Sequence, residues 1–260
     1  MPLLGAFVFP PVDELFRWKD LVFNDTPLAI NKTVLLVLIS SAMILIFMFW
    51  GSRKMKLQPT GVQNVVEMTY EFIDNGITRD VVGHDAQRYT PFLGTLFLFI
   101  LFLNIWEVIP GIQFPATSRL AIPLFLALVS WATFIVTGFV KQGPKYFFAN
   151  INPTGVPFAL KFLVVPIEFF SKYLVRPFSL AVRLFANMTA GHVLLAIFAI
   201  MTNELLIVHS SGLYQVIFAP LPFAGLVAFT GFELLVAVLQ AYIFTILTAV
   251  YINESVHPEH

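Results

Sequence analysis

Residues 231–252 read "GFELLVAVLQAYIFTILTAVYI", an apolar run in which Glu233 and Gln240 are the strongly polar insertions. The run belongs to a longer apolar stretch from about 212 to 252, with Pro220 and Pro222 near its start. A helix of about 40 residues is about 60 Å long, roughly twice the hydrocarbon thickness of a bilayer. It cannot stand upright in a membrane. A second over-long stretch, from about 156 to 201, precedes it and is punctuated by Pro157, Pro166 and Pro177. Two such arms in succession read as steeply tilted helices that form a hairpin.

Upstream, three segments have the length of a single crossing: 33–50, 91–109 and 121–140. The expected fold is an all-α integral membrane protein, one membrane domain of about three upright helices followed by the tilted hairpin. Composition agrees. The 260-residue chain is 58% hydrophobic and 12% charged, against about a quarter charged in a soluble domain. Its formal net charge is zero, so no field recruits nucleic acid. There is no cysteine, which excludes thiol chemistry and cysteine metal sites. The start, "MPLLGAFVFPPVDELFRWKD", lacks the basic head of a signal peptide.

Basic residues set an expected orientation. Arg53, Lys54 and Lys56 follow the first span, only Arg119 follows the second, and Lys141, Lys145 and Lys161 follow the third. By the positive-inside rule the first and third loops face the cytoplasm or matrix, the tail 1–32 lies outside and the C-terminal "NESVHPEH" inside. Within the inner loop 51–90, "PTGVQNVVEMTYEFIDNG" reads as an amphipathic surface helix. Thr60 and Gln63 stand at capping-box spacing, Val62, Val65, Val66, Phe72 and Ile73 form one stripe, and Glu67, Glu71 and Asp74 lie elsewhere.

Arg183 stands in the middle of the first arm, in "AVRLFANMTAGH" (181–192), with no carboxylate in that stretch. Arginine at mid-membrane costs about 3 kcal/mol on insertion scales, and its pKa above about 12 keeps it charged. On the second arm, Glu233 and Gln240 are seven residues apart and share one helix face to within roughly 20°. In an antiparallel pair, residues at equal depth have a constant sum of residue numbers. Arg183 with Gln240 gives 423 and His192 with Glu233 gives 425, both centred on a turn at "SSG" near 211–212. Equal depth does not mean contact, because His192 lies about 180° around the helix from Arg183. Asn187 is one turn from Arg183 on the same face, and Ser179 is one turn before it. Glu168 lies further along, and Asn104 and Glu107 end the second span. The small residues Ala181, Ala186, Ala190 and Gly191 suit close helix packing. His and Glu exchange protons when burial tunes them.

These residues resemble subunit a of the F-type ATP synthase. "RLFANMTAGH" is similar to the family's arginine-helix signature and "GFELLVAVLQAYIFTILTAVYI" to its last helix, with "NIWEVIPG" and "VRPFSLAVRLFAN" as further matches. The resemblance covers most of 90–254, and the first 50 residues match in topology only. One departure is that "EFFSKYLVRPF", between Glu168 and Pro177, is one residue longer than the family pattern.

The resemblance implies a proton-translocating stator subunit in the lipid bilayer, beside the c-ring and the peripheral-stalk b subunits. It implies that Arg183 faces the carboxylates of the rotating ring, with Gln240 orienting it and Asn187, His192 and Glu233 on the proton path. Asn104 and Glu107 belong to an outer half-channel, and Ser179 and Glu168 to an inner one. Such a chain is not an enzyme on its own and takes no cofactor. It has no phosphate-binding glycine loop, and the terminal "HPEH" is too short for a metal site. An initiator methionine without a transit peptide points to the bacterial plasma membrane, with the mitochondrial inner membrane second. The rival class is a self-contained transporter or channel in which Arg183 binds an anionic substrate. That class predicts repeated halves and broken helices, and no repeat is visible.

Overall fold

The computed structural model describes residues 29–53, 55–144, 146, 157–208 and 218–256. The expectations for most of the N-terminal tail, the hairpin turn at 211–212, Lys54, Lys145 and the last four residues lie outside the described residues. The helices are α1 (Lys32–Ser52), α2 (Val62–Ile73), α3 (Ala86–Ile105), α4 (Ala121–Gln142), α5 (Phe158–Phe170), α6 (Arg176–Asn203) and α7 (Pro220–Val256). A π-helical turn, Ser171–Val175, joins α5 to α6 without a break. Five runs are long and apolar enough to cross a membrane: α1, α3, α4, Leu160–Leu206 and α7. The chain is an all-α integral membrane protein. The last two runs have 47 and 37 residues, far more than the roughly 20 an upright crossing needs.

Why the hairpin closes in this register is visible at two glycines. A Cβ on Gly225 would lie 2.6 Å from the Phe198 ring, and a Cβ on Gly191 would fall on the carboxyl group of Glu233. The residue numbers of these pairs sum to 423 and 424, the register that the polar residues alone indicate. Phe198 also stacks on Phe229 at 5.0 Å between centroids. Glycine on one arm thus makes room for a bulky or charged side chain on the other.

Helix α7 is the centre of the bundle, packed against α3, α4 and α6. Its buried face is built from Ala237, Ala241, Thr245, Thr248 and Ala249, small residues that let helix backbones approach where no hydrophobic drive separates helix from lipid. Their hydroxyls stay satisfied: Thr248 donates to the Phe244 carbonyl at 2.9 Å and to Ser130 on α4 at 3.3 Å. At the other side α1 leans on α2 and α3. Asn31 caps α1 by accepting from the Val34 N–H at 3.1 Å, and Trp106 donates to Ser40 at 2.7 Å.

Three local readings change. Helix α3 begins at Ala86 and ends at Ile105, earlier at both ends than the apolar run 91–109. It passes through Pro91, and Glu107 sits in the turns beyond it. The Thr60–Gln63 capping box does not form. Gly61 is the N-cap, at φ +62°, with no side-chain cap, and Gln63 instead bonds the Lys56 backbone and Glu67. Asp74, expected on the polar side, is 5% exposed. It lies eleven residues after Gln63, on the same face of α2, and both are buried; it accepts from Thr90 at 2.7 Å and pairs with Arg79 at 2.8 Å, where a π-helical stretch, Asp74–Arg79, begins. Of the expected apolar stripe, Ile73 is buried while Val62, Val65 and Phe72 stay exposed.

The second π turn, Ser171–Val175, falls inside "EFFSKYLVRPF", and α5 runs on through it as one helical run with α6.

The hairpin register is open to test. Gly225→Val should cost about 1–3 kcal/mol by overpacking against Phe198, read as a lower melting temperature of the detergent-solubilised protein, and Phe198→Ala added to it should return part of the loss.

Candidate functional site

Polar side chains collect at two ends of the α6–α7 hairpin, with Arg183 between them. At the first end, Asn104 and Glu107 come from the end of α3 and the turn after it, and both are fully buried (0% and 1% exposed). Asn104 accepts from Thr117 at 2.6 Å. Glu107 lies within electrostatic reach of Glu233, itself 3% exposed and lying on Gly191. His192, the next residue, meets the ring of Phe114 edge-on, with centroids 5.8 Å apart. Lys32, at the start of α1, donates to the Ile112 carbonyl at 2.8 Å and stands 5.5 Å from the Phe114 centroid.

Asn104, Glu107, His192 and Glu233 are therefore brought together, and Lys32, Phe114 and Thr117 join them. Several of their atoms are buried without a hydrogen-bond partner among the described residues: Asn104 Nδ2, both oxygens of Glu107 and Glu233 Oε2. Such groups ordinarily find a partner, in protein or in ordered water. Beyond the end of the membrane-spanning helix, burial first and Glu233 second push the Glu107 carboxyl up to about 9. It is protonated at neutral pH and loses its proton only as pH rises through about 9.

Arg183 occupies the exposed face of α6. It makes no ion pair or hydrogen bond among the described residues. Ala186, Asn187 and Ala190 continue the same exposed stripe, so α6 itself presents short side chains beside the guanidinium. Gln240 is buried (5% exposed) and no hydrogen bond joins it to Arg183. Leu180, Leu184 and Met188 pack the opposite side of α6 into the core.

At the far end of the hairpin, Arg176 pairs with Glu254 of α7 at 2.6 Å and covers the Tyr251 ring at 4.7 Å. Tyr251 lies within electrostatic reach of both Arg176 and Arg183. Ser179 donates to the Arg176 carbonyl at 3.0 Å. Tyr146, just past α4, contacts Ser255 at 3.1 Å, and Gln142 donates to the Ser255 carbonyl at 2.8 Å. Glu168 stands apart on α5, paired with Lys172 one turn along at 3.0 Å.

Sequence reasoning did not single out Arg176, Tyr251 and Glu254. The signal was present: Arg176 precedes Arg183 by seven residues, two turns, on nearly the same face.

A polytopic membrane protein in which an outward-facing arginine, unpaired among the described residues, stands between two polar clusters is the class the geometry defines. Residues 34–253 match the family model of the ATP synthase A chain, and the chain belongs to that family. It is 41% identical over 256 residues to ATP synthase subunit a of Frankia alni, covering 96% of this chain and 87% of that one. It is 42% identical over 255 residues to ATP synthase subunit a of Parvibaculum lavamentivorans, covering 96% and 95%, and 38% identical over 256 residues to that of Rhodococcus erythropolis, covering 97% and 92%.

The buried carboxyl of Glu107 has a spectroscopic signature. Its protonated C=O stretch should appear in the infrared spectrum at neutral pH, fade as pH rises through about 9, and be missing in Glu107→Gln. A band already absent at pH 7 in the native chain contradicts the site as described.

Proposed function

We propose that the chain is the proton-translocating stator subunit of a rotary ATP synthase, working against the c-ring beside the peripheral-stalk b subunits. The carrying observation is the exposed, unpaired Arg183 in a stripe of small residues. A permanent charge on the outer face of a membrane helix costs several kcal/mol unless a counter-charge reaches it, and the described residues supply none. The counter-charge comes from another chain, and the Ala186–Ala190 stripe gives a helix room to pass.

The membrane is the bacterial plasma membrane, in keeping with the organisms of the relatives, and the positive-inside reading puts the Glu107 end outside. Protons enter through an outer half-channel whose walls are Asn104, Glu107, His192 and Glu233. Their orphaned buried polar atoms bind a file of water, which leads past Asn187 to a ring carboxylate. Neutralised, that carboxylate turns into lipid, where its ionised form is costly. A returning site meets Arg183, whose positive charge favours the ionised form and expels the proton. The proton leaves past Ser179 and Glu168 through an inner half-channel. Gln240, level with Arg183, holds the guanidinium through water. Each charge moved through the full membrane potential contributes about 2.3 kcal/mol per 100 mV.

Arg183→Ala should abolish ATP-driven proton pumping in membrane vesicles, with the complex still assembled. Pumping by that variant rejects the reading, and a self-contained transporter would be revealed by substrate uptake with the purified chain alone. Gly191→Ala should act more selectively. Its added methyl group displaces the Glu233 carboxyl, and a misplaced proton-transfer group costs up to about a hundredfold in rate, with little change in the amount of complex.

A further inference from the structure

Arg176 and Arg183 lie on nearly the same face of α6, seven residues apart, which is about 10 Å along the axis. A proton released beside Arg183 and leaving toward the Arg176 end must therefore pass a second guanidinium. Alone, that cation would repeat the barrier Arg183 raises, on the route where the proton has to escape. It is not alone. Glu254 neutralises it at 2.6 Å, with the arginine side chain 19% exposed and the carboxylate side chain 45% exposed. The cation is thus turned inward and the acid outward.

Helix α7 carries the matching stripe. Glu233 and Tyr251 are eighteen residues apart, five full turns, so they share one face with Gln240 between them. Their separation of about 27 Å is nearly the hydrocarbon thickness. Tyr251 interacts electrostatically with Arg183, Arg176 and Glu254 and so lies between the mid-membrane arginine and the ion pair. Glu168, by contrast, is tied to Lys172 on its own helical run.

We propose that Glu254, held by Arg176, is a proton acceptor at the inner mouth of the half-channel, a role that rests on the proton-translocating function proposed above. One Oε of Glu254 takes the proton from the hydronium that carried it from the ring carboxyl, leaving a neutral water. One O–H bond breaks on that carrier and one forms on the carboxylate. The proton then passes to bulk water, and the pair with Arg176 re-forms. In ATP-driven pumping the same steps run backwards. Among the described residues, the charged and titratable groups around Glu254 are Arg176 of α6, Tyr251 of its own helix, Tyr146 beyond α4 and, through Tyr146, Tyr173 of the π turn. Tyr146 is held above its usual range chiefly by burial, so it stays neutral, and among these described groups Glu254 is the acid.

The test uses the whole ATP synthase in inverted membrane vesicles, where this mouth faces the bath. The initial rate of ATP-driven acidification, per assembled complex, is followed against bath pH. Glu254→Gln should slow pumping by roughly tenfold, less than the ~hundredfold of an enclosed proton-transfer group because water at an open mouth offers a bypass. It should also flatten the pH profile. Glu254→Asp should keep the profile's shape. Arg176→Gln added to Glu254→Gln should recover part of the rate, because the uncompensated cation is gone, while the profile stays flat. Should Glu254→Gln fail to assemble, the double variant carries the same test of the profile. A native rate and profile, or a loss that scales the whole profile evenly and is not relieved by aspartate, makes the pair a structural clamp and overturns the proposal. If Arg183→Ala membranes pump, the underlying function falls independently of how Glu254 behaves.

Discussion

A guanidinium without a counter-ion among the described residues of its chain, on the exposed face of a membrane helix, constrains everything around it. Arginine cannot lower its cost by losing a proton, as lysine can. Nor does Arg183 turn inward, because Leu180, Leu184 and Met188 fill that side of α6. The remaining solution is a surface built for a visiting charge. The neighbouring exposed positions are Ala186, Asn187 and Ala190, whereas the exposed faces elsewhere on the bundle carry Leu, Phe and Val. Small residues where another helix passes and large ones where lipid lies is the division expected of a membrane protein with a partner on one side.

The two polar clusters follow from that placement. Each takes side chains from both α6 and α7, the Glu107 end adding residues of α1, of α3 and of the loop after it, and each uses a different device to make a polar group tolerable. At the Glu107 end a glycine makes the space: Gly191 lets the Glu233 carboxyl lie on the α6 backbone. At the Arg176 end a salt bridge and an aromatic ring do so. Between them α7 is lined with alanine and threonine whose hydroxyls bond their own helix. A path interrupted by a fixed positive charge is what the proposed transfer of the proton to another chain requires.

Much of this was legible in the sequence because the membrane simplifies the problem. Long apolar runs have to be helices, and a run too long for the bilayer has to tilt. The sum rule sets Glu233 level with His192, and the Gly191 and Gly225 contacts carry the same register. The polar residues Asn104, Glu107, His192 and Glu233 were found because each is costly where it stands. Where reading failed, the cause was local. Asp74 lies on the same face of α2 as Gln63, and the bundle buries that polar face while Val62, Val65 and Phe72 stay exposed. Arg176 and Glu254 went unnoticed because each sits near a helix end, where a charge in a sequence reads as ordinary interfacial solvation.

The most direct measurement is a density map of the assembled complex around Arg183. The account predicts a helix of a neighbouring chain lying along Ala186, Asn187 and Ala190, with one of its carboxyl groups opposite the guanidinium. Lipid against that face, or a carboxylate of the same chain closed onto Arg183, contradicts it.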